Sequence, residues 1–364
     1  MKIGILTFHK VNNLGAILQA FALNKYIEMH INNCNCEVID FTPNNANVSN
    51  DGLLIKMLKL IKHLIFWRQY KNDRKRNERF EAFRNNRMTI SPVTYHGDEE
   101  IKKCSGVYDV LISGSDQILN ITLTGESTSF YLDFDDKAKK VSYASSFGRM
   151  DITDKEKELI RKELIKFRFL SFREKSGAQI VQNLIGVEGK EVLDPVFLME
   201  RKCWLGLCNN ELILPKRFAF VYAMEMTDGI KNAVLEVKNR FNLPIIIVNG
   251  SGQHNAIKGD EDTTCGPMEF LRYIRDAEIV ITNSFHGTAF SLIFEKKFLC
   301  IAHSKRNVRI ENLLKNIYSQ DKQIDVDCKN VLLNECIIDS RLVIFRLNEM
   351  ISNSKKYLMY ALKP

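Results

Sequence analysis

No run of apolar residues in this 364-residue chain approaches the roughly 20 that a membrane-spanning helix needs. The opening block Met1–Phe8 is too short for a secretory signal peptide and has no small-residue cleavage site, so it reads as a first strand. The nine cysteines are odd in number and nowhere paired as Cys-x-x-Cys. Cys34 and Cys36 stand too close together for a zinc half-site with no His pair near them, and Cys203 and Cys208 are no better. Reduced thiols of a cytoplasmic protein are the expectation for all nine. There is no G-x-G-x-x-G turn and no Walker loop, which argues against a dinucleotide or P-loop cofactor. No cluster of Asp, Glu and His has metal-ligand spacing, so no metal is expected. Internal repeats and low-complexity tracts are missing as well.

What is present suits a globular protein of two domains: 45% hydrophobic residues, 26% charged, and enough length for two separate cores. The formal charge of +8 is uneven. Between Lys56 and Arg87 stand eleven Lys or Arg against three Asp or Glu. Such a block fits a polyanion, an anionic membrane surface, or simply a solvated helix face.

Short Ile/Val-rich runs recur, each followed by a polar turn and a helical pattern, which implies parallel sheets covered by helices. In the first half the strands are Ile3–Phe8, Glu37–Phe41, Asp109–Ser113, Val141–Ala144, Phe169–Phe172 and Glu191–Leu193. After Asp194-Pro195 the pattern restarts with strands at Arg217–Met224, Pro244–Val248, Ile279–Thr282 and Phe298–Ala302, and helices at Asp228–Phe241 and Pro267–Arg275. The expected organisation is an α/β chain of two doubly wound, Rossmann-like domains, residues 1–198 and 199–340, hinged near 195–205 and facing a cleft. A last helix, in 341–364, is expected to pack across the junction. Residues 51–91 form an insertion whose stretch 53–87 reads as a basic amphipathic helix, lying either on a membrane interface or over the first sheet.

The richest stretch is Thr282-Asn283-Ser284-Phe285-His286-Gly287-Thr288, set between the apolar run Ala277–Ile281 and the helical Ala289–Phe294. A strand that ends in such a turn presents a helix N-terminus, whose unpaired N–H groups and positive dipole end attract anions. Asn283, Ser284, the backbone of Phe285 and the ring of His286 could grip an anionic substrate there, or do no more than cap the helix. Comparable polar turns follow three strands of the first half. They carry His9, Asn13 and Gly15; then Asp116 and Gln117; then Arg173. Asp116 can orient or deprotonate a hydroxyl, or bond its own backbone as a turn residue. Arg173 can bind a carboxylate with its planar fork, or pair with Glu174.

Taken together, "GILTFHKVNNLGAILQA", "DVLISGSDQILN", "KVSYASSFG", "FREKSG", "VLDPVFLM", "GPMEFLRYIRDAEIVITNSFHGTAFSLIF" and "RNVRIENLL" resemble the polysaccharide pyruvyl transferase family, in the family's order from residue 4 to about 315. The resemblance implies a GT-B-like pair of Rossmann-like domains and transfer of the enolpyruvyl carbons of phosphoenolpyruvate onto a sugar. The product would be a pyruvate ketal on a cell-surface polysaccharide precursor such as exopolysaccharide or capsule, its acceptor free or lipid-linked. It implies His286 and Asp116 as catalytic residues; Arg173, Asn283, Ser284, Phe285 and Arg309 around the donor; His9, Asn13, Gly15 and Gln117 around the acceptor. Phosphoenolpyruvate is then a co-substrate, with no cofactor. A cytoplasmic protein, peripheral at the inner membrane face through residues 53–87, would follow, with no nucleic acid as partner. Two departures stand out. Leu119 occupies a place where related sequences often have Trp, and Ser284-Phe285-His286 replaces the Arg-Leu-His of some members, which leaves Arg173, Lys175 or Arg309 to supply the missing charge. Two rival expectations remain: a GT-B glycosyltransferase using a nucleotide sugar, and a non-catalytic polyanion binder working through residues 56–87.

Overall fold

The computed structural model describes residues 1–43, 67–250, 257, 259–304 and 307–363. The first sheet is parallel, in the order β3-β2-β1-β4-β5, from β1 (Lys2–Leu6), β2 (Asn35–Thr42), β3 (Ile90–His96), β4 (Val110–Ser113) and β5 (Lys139–Ser142). Bridges from Val141 to Phe169 and from Ser145 to Phe172 carry it on to the short pair β6 (Ser171–Phe172) and β7 (Lys190–Glu191). The central strands are buried on both faces, which is why they read as unbroken Ile/Val/Leu runs. Within this first sheet, strand β3 is the one the sequence hides. Its Pro92 cannot donate to a ladder, and the strand sits at the sheet edge, where that is tolerated, with an irregular register beside Val38 and Asp40.

The second sheet runs β10-β9-β8-β11-β12-β13, from β8 (Ala219–Ala223), β9 (Ile245–Asn249), β10 (Asp260–Glu261), β11 (Ile279–Thr282), β12 (Lys297–Cys300) and β13 (Ile338–Asp339). Only β13 is antiparallel among its described pairings. Both sheets place β1 and β4, or β8 and β11, side by side at the point where strand order reverses, and ligands of open α/β sheets gather outside the strand ends there.

Helix α1 (Leu14–His30) joins the halves. Its Phe21 ring packs edge-on against Trp204 at 5.7 Å, and Trp204 meets Phe290 of the second half at 4.9 Å. Helix α2 (Trp67–Arg87) covers α1 with buried Phe80 and Phe83, Phe83 lying 5.3 Å from Phe21. Residues 53–66 of the expected basic helix lie outside the described residues. The described part turns Phe80 and Phe83 inward and leaves Tyr70 exposed. It also fixes the first loop: Arg84 donates from Nε to the carbonyl of His9 at 2.9 Å and from Nη2 to that of Lys10 at 2.9 Å. At its other end Asn72 donates to Thr263 at 2.8 Å and Arg79 to the carbonyl of Thr264 at 2.8 Å, so α2 touches both halves.

Helix α3 (Lys175–Ile185) follows β6. In the second half come α4 (Asp228–Phe241), α5 (Pro267–Asp276), α6 (Phe285–Ile293) and α7 (Val308–Asn316), and α8 (Ser340–Ala361) closes the chain. α8 starts on the second sheet and ends against the first: Leu193 N–H donates to Ser354 at 2.9 Å, and the Tyr360 ring lies 5.5 Å from that of Phe169. All nine cysteines are free. No helix among the described residues is long and apolar enough to cross a membrane.

Candidate active site

Helix α6 begins where β11 ends, in the middle of the second sheet. Ser284 is its N-cap, its hydroxyl accepting from Gly287 N–H at 3.5 Å, while Ser284 N–H donates to Thr282 Oγ1 at 3.0 Å. The Asn283 side chain accepts from Met224 N–H at 2.8 Å and donates to the Glu225 carbonyl at 2.7 Å, which ties the turn to the end of β8. The first turn of α6 therefore opens at a fixed place, on a cleft of about 340 Å³ between the halves. Asn13, Asp116 and Gln117 line this cleft from the first half, and Asn283 to His286, His303 and Arg309 from the second.

Asp116 takes a left-handed backbone conformation, φ +80°, just past the end of β4. Its carbonyl accepts from Ser146 N–H at 3.0 Å and its carboxylate from Gln117 N–H at 2.9 Å. Across the cleft, Arg309 in the first turn of α7 brings Nη1 to 3.4 Å from Asp116 Oδ1. Burial opposes a charge on Asp116, but Arg173, Arg309 and His286 outweigh it and hold the carboxyl below its ordinary range. Burial and the neighbouring Arg173 lower Arg309 as well, below the usual guanidinium value.

Arg173 is buried directly after β6. Its Nη2 lies 2.7 Å from Asp194 Oδ2 and donates to Ser115 Oγ at 2.6 Å; its Nη1 is 3.7 Å from Asp116. Asp194 is fully buried, held as the cap of the turn Pro195–Phe197 by Val196 N–H at 3.0 Å. Its Oδ2 also stands 3.6 Å from Nε2 of His286. Burial would raise this carboxyl, yet Arg173 first, then His286 and the Val196 N–H, bring it down to about 2. Glu174 behaves in the opposite way. Burial dominates and raises its carboxyl, against the hydrogen bond from Ser146 at 2.7 Å and the two guanidiniums.

Both guanidiniums lie against the Phe285 ring, Arg173 centred 5.0 Å and Arg309 5.8 Å from it. Arg173 does not line the cleft. It lines a smaller cavity of about 200 Å³, which shares Phe285 and Arg309 with the cleft. Of the residues expected around an acceptor, Asn13 lines the cleft and caps α1, while Gly15 lies against His286. His9 sits elsewhere: its ring is buried between the Thr7 carbonyl at 3.2 Å and Asp40 at 3.0 Å. Lys175 is exposed, because the chain turns Glu174 inward and sends the next side chain to solvent.

Sequence reasoning missed Asp194, Ser115 and Glu174. Asp194 lay inside the quoted "VLDPVFLM", where Asp-Pro reads as punctuation; an acid fixed by a following Pro at a domain junction was the available signal.

A family model described as "Polysaccharide pyruvyl transferase" matches residues 13–305. No curated protein matches the chain. Among solved structures, the UDP-N-acetylglucosamine 2-epimerase from Rickettsia bellii is 10% identical, with a TM-score of 0.58 and coverage of 99% of this chain and 95% of that one. The UDP-GlcNAc 2-epimerase from Methanocaldococcus jannaschii is 12% identical, with a TM-score of 0.50 and coverage of 96% and 93%. That from Neisseria meningitidis, bound to UDP-GlcNAc, is 10% identical, with a TM-score of 0.50 and coverage of 98% and 93%. At such identities the likeness is one of fold: two Rossmann-like domains of the GT-B type.

Proposed function

The chain belongs to the polysaccharide pyruvyl transferase family, and on that premise we propose that it moves the enolpyruvyl group of phosphoenolpyruvate onto hydroxyls of a sugar in a cell-surface polysaccharide precursor, closing a pyruvate ketal. It is a transferase. The observation that carries the donor assignment is the meeting of the α6 N-terminus, His286 and Arg309 with Asp116 in one cleft. A helix N-terminus and a guanidinium suit the phosphate and carboxylate of a small, multiply charged donor. Where some family members have Arg-Leu-His, this chain has Ser284-Phe285-His286, and Arg309, whose guanidinium lies 5.8 Å from the Phe285 ring, supplies the cation instead.

Ketal formation requires a proton on C3, so that C2 becomes an electrophile. His286 is placed to deliver it, since an imidazole gives and takes protons near neutral pH. The first sugar hydroxyl adds to C2 and gives up its proton to Asp116 or to solvent. The C2–O bond to phosphorus then breaks as the second hydroxyl adds. Two hydroxyl protons are released in all; one balances the proton gained by C3 and the other leaves with hydrogen phosphate. Asp116 begins as a weak base, because cations hold its carboxyl low. An anionic donor beside Arg309 draws that cation's field onto itself and makes Asp116 a better acceptor for a hydroxyl proton. Arg173 acts from behind, holding Asp194 at 2.7 Å and Asp116 at 3.7 Å.

Mass spectrometry of candidate glycans incubated with enzyme and phosphoenolpyruvate tests this directly. One added pyruvate per glycan, with one orthophosphate released, is expected. A second reading, a glycosyltransferase with a nucleotide sugar, draws on the fold shared with the epimerases; stabilisation by uridine diphosphate and none by phosphoenolpyruvate in thermal denaturation would favour it. Polyanion binding through residues 56–87 is less well supported, since Phe80 and Phe83 are buried and offer no stacking platform. A lipid-linked acceptor would bring the protein to the inner membrane face. Flotation with anionic liposomes, comparing wild type with a charge-reversed 53–87 segment, tests that; equal recovery removes the idea.

A further inference from the structure

Gln117 stands beside Asp116 on the turn after β4 and lines the same cleft. Its backbone is fixed on both sides. Gln117 N–H donates to the Asp116 carboxylate at 2.9 Å, and its carbonyl accepts from Asn120 N–H at 3.3 Å. Leu119 N–H ties the same turn to the carbonyl of Ser146 at 3.3 Å. The side chain is seated as well. Gly148, at φ +69°, lies against the carboxamide, and a β-carbon built there would collide with Cδ and Oε1 of Gln117. Only 8% of Gln117 is exposed. Among the described residues, however, its carboxamide has no hydrogen-bond partner, and both its oxygen and its nitrogen keep open surface at the cleft. Other amides there are spent on the fold. Asn283 uses its oxygen and its nitrogen on the end of β8, and Asn13 gives its oxygen to the cap of α1.

A polar group set in place without a partner, in a cleft, calls for one from a ligand. The carboxamide offers one acceptor and two donors and does not titrate, so it holds a group without exchanging protons with it. An anion is better served by Arg309 and the first turn of α6. A hydroxyl both donates and accepts, which matches a carboxamide, and a ketal needs two hydroxyls. We propose that Gln117 holds the second hydroxyl of the acceptor diol, next to the first one at Asp116, and so decides what the transfer yields. The assignment rests on the transfer reading above. Once C3 is protonated and the first hydroxyl has added, C2 carries a methyl group, the carboxylate, the phosphate oxygen and the sugar oxygen. Phosphate leaves with the electron pair of its bond to C2. A second hydroxyl in place gives C2 a lone pair and gives its proton to the departing phosphate, and the ring closes. Without it, C3 gives a proton back to His286, and the electron pair of that C–H bond forms an open enolpyruvyl ether. Water can also add, losing a proton to phosphate, and the hemiketal then collapses to pyruvate and the free sugar. Each course releases one orthophosphate; only the first gives a ketal.

The test is the partition of products, measured on the whole protein with phosphoenolpyruvate and the glycan that gains pyruvate in the mass-spectrometric assay. The ketal and the open ether have the same mass, so proton NMR separates them, by a methyl singlet for the ketal and two vinyl protons for the ether. Free pyruvate is assayed enzymatically, and all three are referred to the phosphate released. Wild type is expected to give ketal as nearly all of its product. Gln117→Leu removes the hydrogen-bonding group, and Gly148→Ala displaces it without altering it. In each, the ratio of ether plus pyruvate to ketal should rise at least about tenfold. A variant that is merely misfolded or binds donor poorly makes less of every product at an unchanged ratio. An unchanged ratio in Gln117→Leu, however far turnover falls, would overturn the assignment while wild-type ketal leaves the transfer reading standing. Wild type that releases no phosphate from phosphoenolpyruvate with any glycan removes the transfer reading, and this assignment with it.

Discussion

A β-carbon built on Gly15 would lie 1.9 Å from Nδ1 of His286. The imidazole of the second half rests on the first turn of α1 in the first half, and only a residue without a side chain leaves room for it. Gly15→Ala should therefore push His286 away from Asp194, now 3.6 Å from it. Turnover is expected to fall at least about tenfold, roughly 1.4 kcal/mol of transition-state stabilisation, with steady-state kinetics as the measurement. Unchanged turnover would mean that the position of His286 does not matter.

His286→Ala and Arg173→Ala should separate chemistry from architecture. His286 lines the cleft, so its loss should lower kcat at least about tenfold and leave the melting temperature nearly unchanged. Arg173 lies at the centre of a buried cluster, and its removal strands Asp194 as an uncompensated charge. Such a change costs about 3–5 kcal/mol of stability, so Arg173→Ala should melt well below wild type and lose turnover as well. Thermal denaturation beside kinetics on both variants makes the comparison.

Asp194 gives folding stability a defined pH dependence. Its folded carboxyl is depressed to about 2, below the unfolded value of about 3.9. The stabilisation is thus complete above the unfolded value and is lost as pH falls toward the folded one. In denaturant titrations, wild type should exceed Asp194→Asn by an amount on the order of 2 kcal/mol or more near pH 6, and the gap should narrow between about pH 4 and pH 2. A constant gap would contradict the Arg173–Asp194 pairing.

Glu174 carries the opposite sign. Burial raises its carboxyl, so the folded state prefers it protonated, and stability declines as pH rises past the unfolded carboxylate value. Glu174→Gln keeps an acceptor for Ser146, 2.7 Å away, and removes the charge. Folding free energies by denaturation should differ less between pH 5 and pH 8 in this variant than in wild type. An equal or larger difference would mean that Glu174 is ionised without cost.

Most of the frame could be read in the sequence, because buried parallel strands such as Val110–Ser113 and Ile279–Thr282 are continuous β-branched or leucine runs closed by polar turns. Strand β3 escaped because Pro92 cannot donate to a ladder and interrupts the run of a strand, and only its edge position makes the proline acceptable. In the site, Ser284, Asn283, Asp116 and Arg309 were legible as turn and helix-start residues, and the structure gathers them in one cleft. Asp194 was not. Its meaning comes from Arg173 and from His286, partners far apart along the chain, and no local pattern reports such a meeting. His9 illustrates the converse: a polar residue at a strand end looked available, but Asp40 on the neighbouring strand β2 takes its ring.

Calorimetric titration of phosphoenolpyruvate into wild type and Arg309→Ala tests most directly whether the cleft was built for a three-carbon, multiply anionic donor. One molecule bound per chain is expected, at least about tenfold more weakly in the variant, with uridine diphosphate giving no heat in either. Binding of uridine diphosphate with none of phosphoenolpyruvate, or phosphoenolpyruvate binding indifferent to the loss of Arg309, would contradict it.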